Sequence, residues 1–407
     1  MMFINYWCCR QKGMKMVELS TPKLSDLKYF LLALFPILSL YEFLPLLDIG
    51  NFILMAIIII IMIKQNLVIR INFEILCTML ILIILNLIVG AIKYTNITNT
   101  MNNTGGMIVF TILASFLCCP GFLDKEKLYK ACRFVGLVAT AFLFYQAFAY
   151  NILDMIIMGN IPFLTYIESG FQSIEYGRPT SFFYEPAHYC IYVAPIYAMA
   201  IIKKEYWLAI ILFAGVVFST STTGIILLLV IPIIVNIKKA KSLLFVSIFT
   251  LIGLILFIYL PELFNQYINK LSLSNLMENI RILGTLSLFQ YFSMPEWIFG
   301  VGINRLAEFL YMSGESYGRN YANSIIFLVF SFGIFGSLFW INLCVIMFRK
   351  ISSSYRIMWY ILMFVMVSDQ ILFNRNLLYL LIWVYVVSKE SEIMLSQSSS
   401  AISTVVK

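Results

Sequence analysis

Charge is what this chain has least of. Only 12% of its 407 residues are Asp, Glu, Lys or Arg, against 61% apolar and a mean hydropathy of +0.92, where a soluble domain carries about a quarter charged residues. A water-solvated surface is excluded over most of the chain, and the bilayer is its expected solvent. Histidine is scarcer still. There is one, His188, and with scattered carboxylates it leaves no His-Glu-x-x-His or Asp-x-Asp spacing for a metal. A Gly-rich nucleotide loop, a Walker lysine and a Gly-x-Ser-x-Gly elbow are missing as well, so ATP-driven transport by this chain is not expected. Neither a metal nor a cofactor is predicted. The 8 cysteines fall in the N-terminal tail (Cys8, Cys9), inside apolar segments or at their ends (Cys77, Cys118, Cys119, Cys132, Cys190, Cys344). They form no exported disulfide framework, and core packing is their expected role.

What the chain has in place of charge is long apolar runs. A helix crossing the hydrocarbon core needs about 20 apolar residues, and such segments lie near 29–47, 50–63, 75–92, 105–121, 131–150, 187–202, 205–219, 222–237, 242–260, 324–348, 357–373 and 376–388. The fold expected is all-α, a polytopic integral membrane protein of about 12 transmembrane helices, with two long extracytoplasmic loops carrying amphipathic helices. Its connections alternate between basic and base-poor. With the N-terminus inside, inner stretches hold clusters such as Lys125, Lys127, Lys130 and Arg133, while 7 of the 28 basic residues fall outside: Lys93, Arg178, Lys270, Arg281, Arg305, Arg319 and Arg375. The positive-inside rule then puts both termini in the cytoplasm. The inner loops account for the net charge of +8, so no nucleic-acid partner is needed. The chain divides into a tail over 1–28, a transmembrane domain over 29–388 and a tail over 389–407. No cleavable signal peptide is expected, because a long polar and basic stretch precedes the first apolar segment.

Two long segments, about 151–186 and 261–323, fall on the outer face, where chemistry is expected. The first ends in Tyr176-Gly-Arg-Pro-Thr-Ser-Phe-Phe-Tyr-Glu-Pro-Ala-His188. Pro186 suits the first turn of a helix, which makes Glu185 its N-cap and puts His188 about one turn in. The second segment reads as one or two amphipathic helices on the outer surface between Leu263 and Leu288. It continues through Pro295-Glu-Trp-Ile-Phe-Gly-Val-Gly302, whose glycines allow a tight turn or close backbone approach.

Arg178 and Arg281 stand on different outer segments, and arginine suits a bidentate grip on phosphate oxygens. A two-arginine diphosphate clamp is the sharper expectation. The alternative is pairing with Glu175 or Glu278, or snorkelling to headgroups. Glu185 and His188 are general-base candidates for a sugar hydroxyl. Tyr176, Tyr184, Arg305, Arg319 and Asn323 complete the expected substrate-binding set, the tyrosines stacking on sugar faces or anchoring at the interface. Asp369, with Arg375 a few residues on, reads as a structural ion pair or a supporting carboxylate.

The arrangement resembles the Wzy-type O-antigen and capsular-polysaccharide repeat-unit polymerases, relatives of the O-antigen ligases. The residues that carry the resemblance are Arg178-Pro-Thr-Ser-Phe-Phe-Tyr-Glu-Pro186, Ser219-Thr-Ser-Thr-Thr-Gly224, Arg281 leading to Ile298-Phe-Gly-Val-Gly302, and Asn323 followed by Gly333-Ile-Phe-Gly336. The resemblance implies transfer of an oligosaccharide from undecaprenyl diphosphate to a second lipid-linked repeat unit at the outer face of the bacterial cytoplasmic membrane. Arg178 and Arg281 would match that family's loop arginines, and Glu185 the acidic position of a subset. A chain-length regulator is an implied partner, beside the donor, the acceptor and membrane lipid. Ligases commonly carry His-Asn where this chain has Ala322-Asn323, which favours polymerase over ligase. The rival from another class is a lipid-linked oligosaccharide flippase. It would gather charge around a central cavity rather than in outer loops.

Overall fold

The computed structural model describes residues 24–44, 47–64, 71–94, 97–167, 177–236, 287–312 and 322–389. The expected ninth span (242–260), nearly all of the amphipathic stretch after Pro261 and most of both tails lie outside the described residues.

The described chain is mostly helical. In order it forms α1 (Leu24–Leu38), a two-stranded hairpin of β1 (Glu42–Leu44) and β2 (Leu47–Asp48), α2 (Ile49–Lys64), α3 (Phe73–Lys93), α4 (Ile97–Leu117), α5 (Lys125–Leu153), α6 (Pro186–Ile202), α7 (Tyr206–Phe218) and α8 (Thr222–Asn236). After the gap come the short α9 (Met294–Phe299) and α10 (Leu306–Met312), then α11 (Ser324–Lys350), α12 (Ile357–Ser368) and α13 (Arg375–Val386). Side-chain caps fix several starts. Asn72 accepts from Ile75 N at 3.2 Å, Asp124 from Glu126 N and Lys127 N at 2.8 and 3.0 Å, and Asn374 from Asn376 N and Leu377 N at 2.9 and 3.2 Å, each satisfying amides that the first turn leaves open.

Three of these helices, α3, α5 and α11, are long and apolar enough to cross a membrane at 21, 29 and 27 residues, because 1.5 Å per residue carries 21 residues about 30 Å. Their surfaces are inverted relative to a soluble protein. Ile84, Ile88 and Ile92 of α3 and Ile334, Leu338 and Ile341 of α11 are exposed, while Asn86, Gln146, Thr140 and Ser331 are buried. Apolar outside and polar inside is what lipid selects. α2, α6, α7, α8, α12 and α13 are shorter apolar helices.

At the centre stand α6 and α13, buried along nearly their whole length. Tyr192 and Tyr379 stack at 5.0 Å, Tyr379 Oη donates to Tyr192 O at 3.0 Å, and Tyr192 Oη donates to Ala33 O at 2.9 Å. α1, α4, α5, α7, α8 and α12 surround this pair.

Helix directions alternate, so starts and ends collect at two poles. One pole carries Lys127–Asp26 (3.4 Å), Arg133–Glu205 (2.9 Å), Lys350–Glu74 (2.7 Å) and Lys203–Glu126. Among the described residues, the basic side chains of the other pole are Lys93, Arg178, Arg305 and Arg375. Two expectations change here. The first apolar segment ends its helix at Leu38 rather than running to 47, because Tyr41 and Glu42 turn outward to pair with the 165–166 backbone. The first long loop carries no helix in its described parts, 154–167 and 177–185.

Candidate functional site at the base-poor pole

The turn that carries Arg178 is bolted to the bundle by one residue. Gln146 of α5 is fully buried; its Oε1 accepts from Ser181 N at 2.7 Å and Thr180 N at 3.2 Å, and its Nε2 donates to Ile157 O at 2.9 Å and Ser181 O at 3.3 Å. Ser181 Oγ adds a bond to Ala139 O at 2.6 Å. Thus held, Arg178 reaches across to the turn between α7 and α8: its Nε donates to Thr220 Oγ1 at 3.2 Å. The half-buried guanidinium keeps both Nη nitrogens without a hydrogen bond among the described residues. Ser181 and Thr220 both sit at positive φ, 58° and 56°. That conformation costs a side-chain-bearing residue energy, most of all a β-branched one, and such strain clusters at functional sites.

Two helices, α6 and α8, start near Arg178, which bonds Thr220 two residues before α8 and acts electrostatically on Cys190 of α6. α6 begins at Pro186 with Glu185 in the N-cap conformation (φ −128°, ψ 151°), although the carboxylate makes no capping bond. His188 lies half-buried in the first turn, its amide donating to Glu185 O at 3.1 Å. α8 begins at Thr222, with Ser221 Oγ accepting from Gly224 N at 3.2 Å. Unsatisfied amides and the helix dipole make both ends favourable to anions. Between α6, α8 and the end of α12 lies a narrow cleft lined by Ala187, Cys190, Thr223, Gly224, Ser368 and Asp369. Asp369 caps α12; its backbone oxygen accepts from Ser324 N at 3.0 Å and Ser324 Oγ at 2.7 Å, and its Oδ1 from Gln370 N at 2.8 Å.

A second junction joins the remaining quoted motifs. Gly333 interrupts α11 at φ 62°, ψ −166°, and the carbonyls of Phe330 and Ser331 accept from Val301 N (2.8 Å) and Gly302 N (3.0 Å). Phe289, Phe292, Trp297, Phe309 and Phe330 pack ring to ring over this joint. The following turn is lashed to α3 and α4: Ile303 N donates to Asn86 Oδ1 at 2.9 Å, Asn103 Nδ2 to Ile303 O at 3.0 Å, and Tyr94 Oη to Val301 O at 2.8 Å.

The expected site residues therefore separate. Arg178, Tyr184, Glu185 and His188 share one turn and helix start. Arg305, expected to bind substrate, is 3% exposed and turned inward. It pairs with Glu308, donates to Thr100 Oγ1 at 2.5 Å and lies 4.6 Å over the Tyr94 ring. Its place is in the joint, because Glu308 one turn on and Tyr94 with Thr100 form a ready-made pocket for it. Asn323 is buried as the N-cap of α11, accepting from Ile326 N at 3.0 Å. Tyr176, Arg281 and Arg319 lie outside the described residues. Gln146 was not singled out from the sequence, although an amide within an apolar run is the signal that finds it, and Thr220 entered only as part of the Ser219–Gly224 motif. Among the described residues no three His, Cys, Asp or Glu side chains gather to hold a metal.

Two expected outcomes follow from these contacts. Gln146→Leu orphans buried amides and carbonyls, each worth about 1–3 kcal/mol. It is expected to release the Arg178 turn, seen as faster amide hydrogen exchange at 180–181 while α5 stays protected. The second concerns pH. Burial pushes the Glu296 carboxyl up, but Lys93 and the Ser293 amide outweigh it and hold the carboxyl below its ordinary value. A lowered carboxylate stabilises the fold in full above its unfolded pKa, about 4.3, and loses that contribution as pH falls through the folded value. Glu296→Gln is thus expected to flatten the acid limb of a melting-temperature profile, and an unchanged limb would show that the Lys93 pair adds nothing.

No family model matches the chain, and no curated protein matches it significantly.

Proposed function

We propose that this chain is a membrane glycosyltransferase that polymerises undecaprenyl-diphosphate-linked oligosaccharide repeat units into O-antigen or capsular polysaccharide at the outer face of the bacterial cytoplasmic membrane. The base-poor pole is then the outer one, the chain crosses about 12 times, and both termini are cytoplasmic. The observation that carries the reading is Arg178 held by its Nε against Thr220. Thr220 lies two residues before the start of α8, and Arg178 acts electrostatically on Cys190 in the first turns of α6. This is a positively polarised corner at the rim of an apolar bundle, suited to a lipid-borne diphosphate.

In the reaction, the acceptor hydroxyl attacks the sugar carbon bearing the diphosphate, and negative charge grows on the departing oxygen. Arg178, joined by Arg281 from the second outer segment, stabilises that charge electrostatically. Glu185 or His188 at the start of α6 takes the hydroxyl proton. Tyr184 lines the approach for sugar rings. The reaction is metal-independent. It is tested by giving the purified protein a defined lipid-linked repeat unit with and without a chelator. Polymer in both arms supports the reading. Absence of polymer with intact, folded protein overturns it. Polymer lost only with chelator overturns the metal-independent mechanism.

A further inference from the structure

The apolar surface that α5 turns outward does not stop where the helix stops. Phe134, Val138, Tyr145, Phe148 and Ile152 are exposed at three-, four- and seven-residue spacing along this membrane-length helix, one continuous stripe. Past the left-handed cap at Asp154 the chain remains apolar and exposed through Met155, Ile156, Met158 and Phe163. Asp154 is the one charged residue between 150 and 167. Phe163 is fully exposed and held at φ 70°, a strained conformation for an aromatic residue.

The opposite side of this segment is pinned. Ile161 N donates to Tyr41 Oη at 2.8 Å, Glu42 N to Thr165 O at 2.9 Å and Ile167 N to Leu40 O at 3.0 Å. Gln146 holds Ile157 O, and the Tyr41 and Tyr166 rings meet at 4.8 Å. Backbone groups at 157, 161, 165 and 167 bond to the protein and Ile161 packs on its core, while Met155, Ile156, Met158 and Phe163 are exposed.

We propose that residues 152–163 form a strap lying in the membrane–water interface at this pole, covered by lipid acyl chains and headgroups. One observation selects lipid over protein: the ridge continues the exposed apolar stripe of a helix long and apolar enough to cross a membrane, and its exposed polar residues, Asp154 and Asn160, suit the headgroup level. Because Gln146 bonds Ile157 of the strap and Thr180–Ser181 of the arginine turn together, the strap fixes the depth of Arg178 relative to the headgroups. This holds whatever reaction that arginine serves.

The test is Phe163→Trp in phosphatidylethanolamine–phosphatidylglycerol vesicles, read as the emission difference from the parent, which removes the 6 native tryptophans. The added indole is expected to emit blue-shifted light, quenched by chain-brominated lipid and untouched by aqueous iodide. Red emission quenched by iodide overturns the proposal. So does blue-shifted emission that neither quencher reaches, which would put protein on the strap. Met155→Trp repeats the measurement at a second exposed position.

Discussion

Arg178→Ala is expected to leave single repeat units where the parent makes long polysaccharide, a loss of about 100-fold or more, as for other donors aimed at developing negative charge. The structural cost of the change is small. Among the described residues the half-buried side chain makes one hydrogen bond, Nε to Thr220 Oγ1, so its removal forfeits about 1 kcal/mol and the protein remains in the membrane at parental level. Thr220→Ser keeps the hydroxyl and is expected to retain polymer, which separates loss of the charge from disturbance of the turn. Arg178→Lys keeps the charge but not the fork, so partial activity is expected. The same loss is expected of Arg281→Ala. Normal chain length in both alanine variants would refute the diphosphate clamp. A flippase is separated by the same gel: its loss exports nothing, whereas loss of a polymerase leaves one repeat unit on the final acceptor.

The local features of this site were legible in the sequence, and its tertiary pairings were not. Pro186 after Glu185 announces a helix start by its fixed φ and missing amide, and α6 begins there. Gly300 and Gly302 announce a close approach, and both adopt positive φ. No local pattern tells that Arg178 meets Thr220, 42 residues away, or that Gly300 lies against the Ser331–Phe332 backbone and Gly333 against Ile298–Phe299, since contacts between helices depend on which faces the whole bundle buries. Arg305 shows the cost of that ignorance. As an isolated outer arginine it reads as a substrate ligand, yet Thr100 and Tyr94, more than 200 residues upstream, supply its partners. Asn323 likewise reads as a binding amide until its oxygen is seen to cap α11.

The second large effect is expected from alanine at Gly300 or Gly333. Gly300 (φ 77°, ψ −168°) and Gly333 (φ 62°, ψ −166°) occupy a region of backbone space essentially restricted to glycine. A Cβ on Gly300 would lie 2.5 Å from Phe332 N, and one on Gly333 2.6 Å from Phe299 N. In both cases the obstacle is backbone, which cannot swing aside. Each substitution must therefore straighten α11 or break the Val301–Phe330 and Gly302–Ser331 bonds, at a cost of about 3 kcal/mol or more. A fall of several degrees in the melting temperature of solubilised protein is the expected reading. Gly105 and Gly106 of α4 provide the control, because a Cβ there meets nothing within 4 Å, so alanine is expected to be neutral or stabilising by up to about 1 kcal/mol. The contrast isolates the joint. If all four alanines melt alike, the kink in α11 carries no stability. If Gly300→Ala and Gly333→Ala melt early yet still polymerise at low temperature, the joint contributes stability alone and takes no part in the chemistry.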